Sequence, residues 1–114
     1  MPALIPEQCI GMFLQEKLRN FVTWILSEIP KAELPTGYSL NKLATQDQCV
    51  DFAEVVVDMR EPVAAQDFDG LSKHPLATVS MSAVIKAVQA RPAMHEKFWR
   101  YMDMCVEVID QVKA

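Results

Sequence analysis

The stretch TQDQCVDFAEVVVD, residues 45–58, decides the fold class. Its Val55-Val56-Val57 run is β-branched and favours a strand. Two other features favour a helix. Thr45-Gln46-Asp47-Gln48 matches a capping box, in which the Thr hydroxyl takes the amide three residues on and Gln48 reaches back to the cap amide. Asp47, Asp51, Glu54 and Asp58 then recur at i, i+4, i+7 and i+11, which on a helix places all four within a sector of about 60°. A strand would scatter them onto both faces. The spacing therefore predicts a helix that turns Cys49, Phe52, Ala53, Val56 and Val57 inward.

Upstream, residues 6–29 carry a helical period, with Pro6 suited to a first turn that needs no amide donor. Ile10, Phe13, Leu14, Leu18, Phe21, Val22, Trp24, Ile25 and Leu26 cover an arc of about 220°, against the roughly 100° stripe of an ordinary surface helix. Pro30 ends the helix. Residues 30–44 read as a connector, with a turn at Pro35-Thr36-Gly37 and a short helical turn after Ser39.

Downstream, residues 61–80 are the least regular part, broken by Pro62, Gly70 and Pro75. The expectation there is a short helix over residues 63–68 or a functional segment, with Phe68 and Leu71 on the core. A third main helix is predicted from Ser80 or Ser82 to Ala90, with Met81, Val84, Ile85 and Val88 inward, closed by Arg91-Pro92. A fourth runs from Pro92 nearly to Lys113. Its inward stripe is Met94, Phe98, Tyr101, Met102, Cys105, Val108, Ile109 and Val112. His95, Trp99 and Val106 form an apolar shoulder beside it. The whole reads as one all-α domain over residues 1–114: a compact bundle of four to five helices, with long first and last helices packed together.

Composition agrees with a globular chain. Of 114 residues, 51% are hydrophobic and 23% charged, close to the average for folded domains. The net charge of -4 is unevenly placed. Residues 46–70 hold seven acids and one base, whereas residues 71–114 hold six bases and four acids. An acidic block thus sits beside a mildly basic C-terminal part. The acidic balance speaks against a general nucleic-acid binder. A helix-turn-helix through Arg91-Pro92 would present Glu96, Lys97, Arg100, Asp103, Glu107 and Asp110, a face whose acids repel phosphates.

Cys9, Cys49 and Cys105 are far apart and odd in number, which suits buried thiols rather than a CxxC pair or a disulfide scaffold. The first basic residue is Lys17, so the start lacks the basic segment of a secretory signal. The longest uncharged run is 12 residues, short of a membrane span. Cytoplasmic residence is the expectation.

Catalytic and metal patterns were tested in turn. His95-Glu96 lacks a second His at position 99, so the zincin motif fails. Asp67-Phe68-Asp69-Gly70 resembles the middle of a calcium loop, but Ala65 and Leu76 stand at the outer ligand positions. There is no glycine-rich phosphate loop. His74 and His95 read as a loop residue and a half-buried helix residue. The expectation is no catalytic centre, no metal and no cofactor.

Two patterns remain. The acidic stripe of Asp47, Asp51, Glu54 and Asp58 reads as a solvated face or as a docking surface for a basic partner. The overwide apolar arcs, with His95, Trp99, Met102, Val106 and Trp24 as contact residues, read as surface for another protein or a second copy of the chain. The expected function is a non-enzymatic protein–protein interaction module, in physical character a small regulator or inhibitor of the anti-activator, immunity or assembly-chaperone type, and a homodimer. The alternative is a helical bundle that holds an apolar small molecule between its first and last helices. A small enzyme pairing a Cys with His95 is the third class.

Overall fold

The computed structural model describes residues 5–38 and 45–113. Among them are six α-helices and no strand: α1 (Ile10–Glu28), α2 (Gln46–Asp58), α3 (Arg60–Ala64), α4 (Phe68–Ser72), α5 (Val79–Gln89) and α6 (His95–Lys113). Four are long and two are single short turns of chain. The all-α bundle with packed first and last helices is therefore observed.

The helix starts follow local chemistry. At α2 both halves of the capping box form: Gln48 N donates to Thr45 Oγ1 at 3.2 Å, and Thr45 N donates to Gln48 Oε1 at 2.9 Å. The Val triplet is helical because this cap and the inward burial of Ala53 and Val56 outweigh an intrinsic preference of a few tenths of a kcal/mol, about the helix-propensity gap between Val and better formers. Thr78 Oγ1 caps α5 by accepting from Met81 N at 3.1 Å. This cap starts α5 at Val79, one residue before the predicted start. A 3-10 turn at Pro92–Met94 leads into α6, and another at Glu7–Cys9 leads into α1.

Residues 61–80 differ from expectation. The predicted helix over 63–68 is replaced by α3 before it and α4 after it, joined through Gln66 at φ 51°. Pro62 does not break the chain; it lies in the first turn of α3, where a missing amide costs no helical bond. Asp67 caps α4 by accepting from Gly70 N at 3.0 Å. A Cβ on Gly70 would lie 2.5 Å from Asp67 Oδ2, so a larger residue there would push the capping carboxylate aside. The Asp-Phe-Asp-Gly pattern is thus a capped helix start. The turn at Pro35–Gly37 forms, with Gly37 at φ 82°. The helical turn predicted after Ser39 lies outside the described residues.

One core joins these elements. Ile25, Val56, Met59, Leu71, Val88 and Phe98 are all fully buried in it. α6 runs through its centre and packs on α1, α2, α3 and α5. Burying a side chain of this size contributes about 1.5–3 kcal/mol relative to exposure.

Candidate functional site

The flank of α6 carrying Trp99 is not a surface. Trp99 is 3% exposed and Met102 4% exposed within the single chain. Phe68 from α4 stacks at 4.6 Å from Trp99, 4.5 Å from His95 and 5.4 Å from Phe98, centroid to centroid. The expectation that Trp99 and Met102 contact a partner is corrected. Phe68 of α4 covers Trp99 within the chain, whereas Met102, also buried, lies on another side of α6 at the base of a cleft between α1 and α5. Periodicity along α6 cannot tell a cover made by a neighbouring segment from one made by another chain.

His95 is half-buried, and its Nε2 donates to the carbonyl oxygens of Val88 at 3.1 Å and Gln89 at 3.0 Å. The ring thereby ties the C-terminal end of α5 to the start of α6. Val106 is half-buried against the core, and Trp24 is half-buried with the Lys97 ammonium 5.0 Å above its ring. Of the five apolar contact residues read from the sequence, Trp24, His95 and Val106 keep partly open surface.

The acidic stripe stands where the helix period puts it. Asp47, Asp51 and Asp58 are exposed and Glu54 is half-buried on the outer side of α2.

A cleft of about 340 Å³ opens beside the core, half-enclosed by the described residues. Leu18, Phe21 and Val22 of α1 form one wall, and Met81, Val84 and Ile85 of α5 form another. Phe98 and Met102 of α6 lie at its base, and Phe52 reaches in from α2. The polar groups at its edge are few: Thr36, Tyr38 and Ser80. Burial pushes the Tyr38 hydroxyl up to about 12, so it stays a neutral donor at physiological pH. The gap expected between the first and last helices therefore exists, but α5 and α2 supply half its walls. Their part was not legible in the sequence, because Met81, Val84 and Phe52 read there only as inward core positions.

The thiols are poorly placed for nucleophilic work. None of the three cysteines is in a disulfide among the described residues. Burial raises the Cys105 thiol to about 12, against an opposing hydrogen bond from Tyr101, and burial also raises Cys49. Since the thiolate is the reactive form, both react slowly at neutral pH. Among the described residues no group of three His, Cys, Asp or Glu side chains could hold a metal ion, and no helix is long and apolar enough to cross a membrane.

Comparison with protein-family models, with curated proteins and with solved structures finds no match to this chain.

Proposed function

We propose that this chain is a non-enzymatic interaction module, a small regulator or inhibitor that works by seating an apolar segment of a partner protein in the cleft between α1, α5 and α6. The cleft carries this reading. It is walled by aromatic and aliphatic side chains and edged by three neutral polar groups, the make-up of a site that buries apolar atoms and orients them with a few hydrogen bonds. Phe21, Phe52 and Met81 remain partly exposed there, and aromatic and Met side chains are the residues enriched at interface centres. The acidic stripe on α2 supports the same reading, since it would speed encounter with a basic partner. The slow thiols and the engaged His95 ring support a binding rather than a catalytic role. Cysteines held outside disulfides suit a reducing compartment such as the cytoplasm. A second copy of the chain is one such partner.

The second reading, an apolar small molecule in the same cleft, is favoured by its volume, which falls within the range of about 300–1,000 Å³ typical of ligand sites. One pair of experiments tests both. Met81→Arg places a charge in the cleft mouth at a half-buried position. Partner capture with wild type and Met81→Arg side by side should lose the partner in the variant. Native mass spectrometry of protein purified from its own host should show the bare chain under the first reading and a retained small molecule under the second. A partner that binds both proteins equally, with no retained small molecule, would remove the cleft from the function.

A further inference from the structure

We infer that a groove between α1 and α6, which adjoins the cleft at Phe21, receives the acidic face of α2 from a second copy of this chain. The inference rests on the reading of the chain as an interaction module and names one partner and the surfaces it uses. The groove has a volume of about 470 Å³, with Lys17, Asn20, Lys97 and Arg100 around it and Phe21 and Tyr101 along it. Its cations are held in place. The Lys17 ammonium lies 5.2 Å from the Phe13 ring centroid and the Lys97 ammonium 5.0 Å from that of Trp24. Cation–π contact orients both heads and reduces the entropy lost when an anion docks. The four ion pairs among the described residues include neither lysine. Arg100 pairs with Glu96, but both side chains are more than 70% exposed, so that contact exchanges readily.

The complement lies on the same chain. Asp47, Asp51 and Asp58 are exposed, and none of them belongs to those ion pairs. They extend over about 16 Å of helix at 1.5 Å per residue. Val55 falls on the same face and is half-buried, which gives Phe21 and Tyr101 an apolar group to meet. The surrounding residues 46–70 carry a net charge of -6, so a groove rimmed by cations has an anionic counterpart in every copy. Each copy offers both surfaces, and a two-fold dimer in which groove meets stripe twice satisfies both at once.

The test is sedimentation equilibrium at low salt, with helicity checked by circular dichroism. Wild type should dimerise, and its dissociation constant should rise as salt screens the contact. Lys17→Glu/Lys97→Glu and Asp51→Lys/Asp58→Lys should each weaken the dimer at least about tenfold, the scale of losing close charge pairs. Mixed together, the two variants should recover wild-type association, because each reversed surface then meets its opposite. If a reversal fails to fold, Lys97→Gln and Asp51→Asn give the same reading through a reduced salt dependence. A wild type that stays monomeric overturns the inference while leaving a foreign partner in the cleft untouched. A dimer indifferent to both reversals shows that the chain self-associates through another surface, and overturns it equally.

Discussion

The two flanks of α6 began alike and ended differently. On one side, Trp99 is sealed by Phe68, and both rings belong to a cluster that includes Phe98 and His95. On the other, Tyr101 stacks on Phe21 at 4.2 Å with the rings nearly parallel, yet Phe21, Trp24 and Met104 all stay half-buried. Both flanks repeat apolar residues at helical spacing. What separates them is the segment of residues 60–72, which folds over the first and leaves the second to a groove and a cleft. An overwide apolar arc therefore marks a demand for cover and not the identity of what covers it.

The sharpest way to break this contrast is Trp99→Ala. Removing a fully packed indole should cost about 3–5 kcal/mol of monomer stability, read from urea unfolding. A loss below about 1 kcal/mol, accompanied by lost self-association, would return Trp99 to the interface.

Alkaline titration sharpens the same contrast. Burial raises Tyr101 well above its ordinary value and Cys105 to about 12. Both are neutral when protonated, and the folded chain holds those protons more tightly than the unfolded chain. Their contribution is intact below about pH 9, where the unfolded thiol begins to ionise, and is lost as pH rises toward 12. Each group should lower stability by about 1.4 kcal/mol per pH unit in that window. Tyr101→Phe should flatten the slope above pH 10, the ordinary tyrosine value; an unchanged slope would mean that Tyr101 titrates freely and that the groove side is open to water.

Thr45→Ala removes the side-chain half of the α2 cap and should cost about 1 kcal/mol. Thr45→Ser should recover most of that, a distinction thermal melts can read. Smallest is Arg91→Ala. Arg91 pairs bidentately with Glu33 at 2.6 and 3.1 Å and donates to the Ala87 carbonyl at 2.8 Å, fastening the 3-10 turn Lys31–Glu33 to α5. Glu33 is largely open to solvent, so the loss, read from thermal melts, should be the smallest of the set. The Arg91 guanidinium holds the Glu33 carboxyl below its usual range. The pair's contribution is therefore present above pH 4.5 and fades as pH falls through the lowered value.

By itself the sequence determined the helical class, the α2 cap, the stripe of Asp47, Asp51, Glu54 and Asp58, and the burial of Phe98, Cys105 and Ile109. Each of these follows from spacing along one helix or from bonds within one turn, where the chain's own geometry sets which groups meet. Only the tertiary structure decided the fate of Trp99, the pairing of His95 with the end of α5, and the cleft that Met81, Phe52 and Leu18 share. Those depend on which elements become neighbours in space, and a period along one helix records how much surface must be covered without recording by whom.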